Sequence, residues 1–418
     1  VEGHGSLVID IKNREVKDLR LDIFEGSRFF EPLLKGRGYD EVPEISSRIC
    51  GICVIAHHLT AIKAVEKALG VTPSEQTIEL RKLLDLAGLV QSHVLHLYFL
   101  ALSDYLGYES TLAMIGEHPE VVKQALRMKQ LANDASELIA GSPMRQATPV
   151  IGGFTSLPTK HQLEHLLRRM KDAKTDAIKT LDLFSSLKVP EFERKVECFA
   201  LAKEKTFAIY DGEKIASTEG LYFPVEEYQQ NIKEFVVPYS TAKHSINIST
   251  GESFLVGALA RINVNKQYLS DGAREAMDRV EVKFPNYNPY MNNLAQSLEI
   301  IHSIDQIVCT LEKLLDVGVK DEKPEVKVRA GEGVAATEAP RGTLYHHYKI
   351  NDAGRVEYAN IITPTAQNLK NMEEDLKAVV PQLLDLPKDE IVLNLEKLIR
   401  AYDPCISCST HFLETKFV

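Results

Sequence analysis

The chain has 418 residues, 44% of them hydrophobic, and carries 59 acidic against 49 basic side chains for a net charge of −10. That length buries a large core, and the acidic balance argues against nucleic acid or an anionic membrane surface as main partner. No apolar run reaches about 18 residues without a charge, so no membrane span is expected.

The chain starts at Val1 rather than Met, which points to a short missing start, and nothing resembling a signal peptide is visible. Glu2-Gly3-His4-Gly5 reads either as a frayed charged terminus or as backbone that approaches something closely through its two glycines. Leu7, Ile9 and Ile11, then Leu19, Leu21 and Ile23, alternate with polar residues and predict a β-hairpin within residues 1–24. Glu31 lies among apolar residues. By spacing it is a half-exposed helix acid, and burial would demand a cationic partner.

Ile55, Leu59, Ile62, Val65 and Leu69 then predict a helix that stops at Gly70. Thr72-Pro73-Ser74-Glu75 reads as a capping box opening a long central helix through Leu100. His93 and His96 on it are expected as hydrogen-bonded core histidines. Further helices are predicted over about 119–140, 159–187 and 292–317, and strands over 197–218 with Asp211-Gly212 as a hairpin turn. Residues 219–290 read as irregular. Cys198 and Cys309 are expected in the core.

Arg341, just after Pro340 and before Gly342, is fixed in direction and can point at an anion. Strands flank 351–354 and are expected to end at Thr363-Pro364-Thr365, after which two helices reach Tyr402. The pattern gives a mainly α chain with smaller β-sheet regions (α+β). It is read as one domain, 1–411, divided into a hairpin region (1–47), a helical core (48–190), a mixed strand and irregular insertion (191–290) and a closing part with helix and strands (291–411), followed by a tail, 412–418. No internal repeat, GxGxxG or Walker pattern occurs, so no nucleotide site is expected on this chain.

The chemistry concentrates at the two ends. Arg48-Ile49-Cys50-Gly51-Ile52-Cys53 with His57, and Asp403-Pro404-Cys405-Ile406-Ser407-Cys408 with His411, are C-x-x-C pairs about 350 residues apart, each with a histidine downstream. Six cysteines are too few for a disulfide scaffold, and reduced thiols serving a metal in the cytoplasm fit better. A structural zinc site is the commonest reading of such pairs, but zinc ribbons place them roughly 15–20 residues apart. A thioredoxin-like redox pair explains one motif only. A catalytic soft-metal site explains both.

These paired motifs, with Val1-Glu2-Gly3-His4, Thr337-Glu338-Ala339-Pro340-Arg341-Gly342 and Thr363-Pro364-Thr365, resemble the signatures of the large subunit of nickel–iron hydrogenases over essentially the whole chain. The resemblance implies long central helices, with both chain ends meeting at a buried metal site. It implies that Cys50, Cys53, Cys405 and Cys408 bind nickel, with Cys53 and Cys408 bridging to an iron that carries two cyanides and one carbon monoxide. H2 is then cleaved heterolytically, Cys405 takes the proton and Glu2 relays it. Arg341 and Thr365 contact the cyanides, Pro364 walls the pocket, Asp403 anchors Arg341, and His57 orients a bridging cysteine. Glu31 and His411 hold a magnesium or other divalent ion.

Ser92 stands where many membrane-linked members carry an aspartate over the nickel, which points to the cytoplasmic branches. The motif arginine expected just before Val1 is missing. The seven residues after His411 match a tail that an endopeptidase removes once nickel is loaded, so the mature chain is expected to end at His411. Ala401–Cys408 and Ile361–Thr365 resemble the cytoplasmic, NAD(P)-linked sulfhydrogenase-type enzymes. That implies a small subunit with iron–sulfur clusters and further subunits with flavin and NAD(P) sites. The alternatives are the quinone-chamber subunit of a complex I relative, a hydrogen sensor, or a zinc-stabilised interaction protein.

Overall fold

Alternating apolar residues bury one face of a hairpin, β1 (Gly5–Lys12) and β2 (Glu15–Ile23), which turns through a left-handed Asn13. The computed structural model describes residues 5–13, 15–23, 30–108, 110–405 and 413–417. Glu2, Cys408 and His411 lie outside the described residues. Helix α1 (Val54–Leu69) begins at Cys53, and Gly70 ends it with a φ of 68°. Helix α2 (Glu75–Val94) is capped by Ser74, whose side chain accepts from the Thr77 amide. The expected cap, Thr72, sits two residues too early, because 71–74 stays extended and only Ser74 reaches the first turn. The helix runs on through a π-helical stretch, Leu95–Ala101, to Leu106. Residues 75–106 are long and apolar enough to cross a membrane, yet most of that stretch is buried inside the protein.

Helices α3 (Pro119–Ala140) and α4 (Lys160–Ser186) follow, the latter opened by a Thr159–Gln162 capping box. Strands β3 (Glu197–Ala202) and β4 (Lys214–Ser217) pair antiparallel. Asp211-Gly212 is not their tight turn. The whole of 203–213 connects them, because Ala208, Ile209 and Tyr210 are drawn into the core. The segment expected to be irregular contains short strands and three α-helices, among them α5 (Ala258–Asn265), whose residues are nearly all buried. Its eight residues are too few to show a clear helical period against the surrounding Asn, Tyr and Pro.

Helix α6 (Asn292–Val317) packs on α2 and α4. Cys198 is buried in β3, but Cys309 on α6 is exposed. It lies one residue off the apolar row Ile301, Ile304, Val308 and Leu311 that faces the core, and helical position outweighed the usual burial of cysteine.

A three-stranded antiparallel meander, β5 (Gly331–Ala339), β6 (Gly342–Ile350) and β7 (Val356–Ile362), lies against α1. The approach is close: a Cβ on Gly333 would stand 2.1 Å from the Ala64 carbonyl oxygen. Strand β7 ends at Ile362, and Thr363 stands just before the next helix, α7 (Pro364–Leu383), without a side-chain capping bond. Pro364 and Thr365 therefore sit in a helical first turn, where the proline ring is tolerated. Helix α8 (Lys388–Ala401) leads to the second cysteine motif. A final strand, β8 (Leu413–Phe417), pairs parallel with β1, Gly5 opposite Leu413. The N- and C-terminal segments are thus neighbours in space.

Candidate metal centre

The chain reverses tightly at 50–53, and the Cys53 amide donates to the Cys50 sulfur at 3.0 Å. The N-terminus of α1 starts at the same point, and a helix N-terminus favours negative charge. Cys405 arrives from the far end of the chain. Its sulfur is 3.0 Å from that of Cys50, and the sulfurs of Cys50, Cys53 and Cys405 all lie within 4.8 Å of one another.

Local structure does not set the Cys405 side. After α8 the chain turns through Asp403, a non-glycine residue with a φ of 51°. Such a conformation needs outside support, and four contacts supply it. Arg341 donates from Nε to the Asp403 carbonyl at 2.7 Å and from Nη2 to its carboxylate at 2.9 Å. Gln296 on α6 donates to the other carboxylate oxygen at 3.0 Å. The Cys405 amide donates to Thr365 Oγ1 at 3.1 Å. His96 stands behind this group, with its ring nitrogens 2.6 Å from Gln296 Oε1 and 2.7 Å from the Arg400 carbonyl oxygen.

Arg341 closes the site from above. Its Nη1 donates to the Cys53 sulfur at 3.1 Å and to Ser92 Oγ on α2 at 3.2 Å. Burial opposes the charge of this guanidinium, but Asp403 and the cysteines outweigh it and hold it firmly protonated. The expected site residues Arg341, Asp403, Ser92, Thr365, Cys50, Cys53 and Cys405 therefore meet at one buried place, with Pro364 beside Thr365.

His57 lies one turn below Cys53 on α1. Its Nδ1 is 3.2 Å from Nε2 of His346, whose Nδ1 is 2.5 Å from the Tyr348 hydroxyl. Burial drives the His57 pKa down to about 4 against the pull of Cys53, so the ring is neutral. Glu31 stands apart from the cysteines. Its Oε1 accepts from the Ile361 amide at 2.9 Å and from Asn360 at 3.1 Å.

The donor set fits a soft cation. For Cys53, the Cys405 contact lowers the thiol, but the Cys50 contact and burial prevail and push it up to about 11. Contacts with Cys50 and Cys53, then burial, raise Cys405 well above its ordinary range. Sulfurs this close resist ionising together without a metal, and a soft divalent ion removes that penalty.

The nickel-dependent hydrogenase family matches residues 28–157 and 195–411 of this chain. The chain belongs to the nickel-dependent hydrogenase family. It is similar to sulfhydrogenase 1 subunit alpha of Pyrococcus furiosus, at 39% identity over 98% of this chain and 96% of the relative. It is also similar to NAD-reducing hydrogenase HoxS subunit beta of Cupriavidus necator, at 27% identity over 99% of this chain and 93% of that one. A crystal structure of an NAD+-reducing [NiFe]-hydrogenase in the H2-reduced state superposes with a TM-score of 0.87 at 27% identity, covering 98% and 97% of the two chains. The α+β hydrogenase large-subunit fold and the catalytic hydrogenase function are those expected from the motifs. These matches favour that function over the quinone-chamber, sensor and zinc readings.

Sequence reasoning missed a second layer of buried polar residues: Arg261, Gln296, Glu299 and His346. The available signal was a charge inside an apolar helical run, Ala260-Arg261-Ile262 on α5 and Leu298-Glu299-Ile300 on α6.

Proposed function

We propose that Cys50, Cys53, Cys405 and Cys408 hold a nickel–iron centre with cyanide and carbon monoxide on the iron, and that this subunit cleaves H2 heterolytically and reversibly. The observation that carries this is the meeting of the sulfurs of buried Cys50 and Cys53 with that of half-buried Cys405 from the other end of the chain, beside one permanently charged arginine. The centre, when bound, supplies polarisation of H2 and storage of its electrons. The protein supplies everything around it. Cys405 accepts the proton at its sulfur, as a terminal thiolate basic enough to do so. Glu2 takes that proton onward. Arg341, its fork held by Asp403, would donate to a cyanide of the bound centre, and Thr365, which supports the Cys405 backbone, would offer its hydroxyl to the other. Pro364 and Ser92 would wall the pocket, and His57, one turn from Cys53, would help to orient that sulfur toward the bound centre. Glu31 and His411 bind magnesium or another divalent ion.

Electrons leave through an iron–sulfur small subunit, since this chain has no spare set of cysteines for clusters. The likeness to an NAD-reducing and a sulfhydrogenase relative supports flavin- and NAD(P)-binding partners in a cytoplasmic complex. An endopeptidase would remove residues 412–418 after His411, and an intact mass of the mature chain checks this. The test of the mechanism is Glu2→Gln. The purified complex should keep its nickel and iron but lose H/D exchange, and exchange at the normal rate in a fully metallated variant would contradict the relay.

A further inference from the structure

Arg341 is held at its tip by Asp403, Ser92 and Cys53, but its backbone is held by something else. Helix α5 starts beside the Pro340–Gly342 turn: a Cβ on Gly342 would stand 2.9 Å from the Gly257 nitrogen, and one on Gly257 would stand 3.2 Å from the Arg341 carbonyl oxygen. One turn into that helix comes Arg261, which is fully buried. Its Nε donates to Glu299 Oε1 at 2.6 Å and its Nη2 to Glu299 Oε2 at 2.7 Å. Nη1 donates to Glu338 Oε2 at 3.0 Å and to the Ala339 carbonyl at 2.9 Å, and Nη2 also donates to the Pro340 carbonyl at 3.0 Å. A guanidinium has five N–H groups, and each of these has a partner.

The same carboxylate reaches the other side of the site. Glu299 Oε2 is 2.7 Å from His93 Nε2, and the residue before His93 is Ser92, which accepts from Arg341. The connections form a closed ring: Arg261, Glu299, His93, Ser92, Arg341, and back through the Pro340 carbonyl. It ties α2, α5 and α6 to the end of β5. Pro340 has no N–H, so the turn before Arg341 lacks one of its own possible hydrogen bonds, and its carbonyls are taken by Arg261 instead. Burying one cation with two carboxylates is poor economy for stability alone, since well-packed apolar residues do as well or better. Fixing the root of Arg341 is a use that only a five-donor fork satisfies.

We infer that Arg261 is a positioning residue of the hydrogenase site: it clamps the Ala339 and Pro340 carbonyls and so sets where the Arg341 guanidinium lies over the metal centre. The inference rests on the hydrogenase reading. Lysine keeps the charge beside Glu299 and Glu338 but has three donors on one nitrogen and cannot also hold both carbonyls. A shift of about 1 Å in a positioned group lowers rates by up to ~100-fold.

The test compares wild type, Arg261→Lys and Glu299→Gln in the assembled complex. Expected are wild-type nickel and iron contents, a displaced cyanide stretching band in the infrared with a nearly unchanged carbon monoxide band, and a kcat reduced about 10–100-fold at similar KM for H2. In the metal-free chain, amide exchange across 337–343 should rise in Arg261→Lys while that across α3 stays put. Wild-type bands and kcat in a fully metallated Arg261→Lys would overturn the inference. So would failure of both variants to fold, which assigns the cluster to core stability alone. A wild-type complex without nickel or cyanide bands would instead overturn the hydrogenase reading itself.

Discussion

The two halves of the cysteine centre are built by different means. Cys50 and Cys53 are placed by local structure: a tight reversal and the start of a sixteen-residue helix that is buried along almost its whole length. Cys405 is placed by tertiary contacts from three separate places, the β5–β6 turn, α6 and α7, through a residue in an unfavourable backbone conformation. The first half is robust and legible from its own neighbours in sequence. The second exists only when Arg341, Gln296 and Thr365 are all present, so assembly of the C-terminal half reports that the rest of the subunit is already folded.

The largest expected effect is at the anchor of the second half. Asp403→Ala leaves Arg341 buried without its carboxylate, which should cost about 3–5 kcal/mol and remove nickel from the purified complex. Denaturant unfolding and metal analysis check this, and unchanged nickel would show that Cys405 needs no such support. Acid should strike the other half. His57 is held down to about 4 by burial, against about 6.5 in an unfolded chain. Because the folded pKa is depressed, the unfolded chain binds more protons once the pH drops below about 6.5, so this stability is present above that pH and is lost as the pH falls toward 4. The urea midpoint of the metal-free chain should therefore fall from pH 7.5 to 4.5, and His57→Gln should reduce that dependence. A midpoint equal in wild type and His57→Gln at both pH values would count against it. Smallest is Thr365→Val, which removes the acceptor for the Cys405 amide at about 1–2 kcal/mol. It should lower nickel occupancy without touching α1, as amide exchange across residues 54–69 would show.

The same contrast explains what could be read without coordinates. Pro119 with Gly141, and Gly70 after Leu69, mark helix ends because proline and glycine act on their own backbone. The four cysteine positions and Arg341 carry motifs. Ser74 instead of Thr72, the 203–213 connection with its buried middle, and helix α5 were not legible, because packing decides them. Arg261 and Glu299 were half legible: opposite charges inside apolar runs imply a buried partner, but nothing in their spacing says that the partners are each other and a proline carbonyl. Nor does the sequence show that His93 and His96, expected as core histidines, are tied through Glu299 and Gln296 to the two sides of Arg341.

The most direct test of the whole account is elemental analysis with infrared spectroscopy on the complex purified with its partner subunits. Nickel with iron in excess of it, the excess coming from the small subunit's clusters, and bands from cyanide and carbon monoxide that vanish in Cys405→Ser, are the predicted result. Zinc alone, with no such bands, would contradict it.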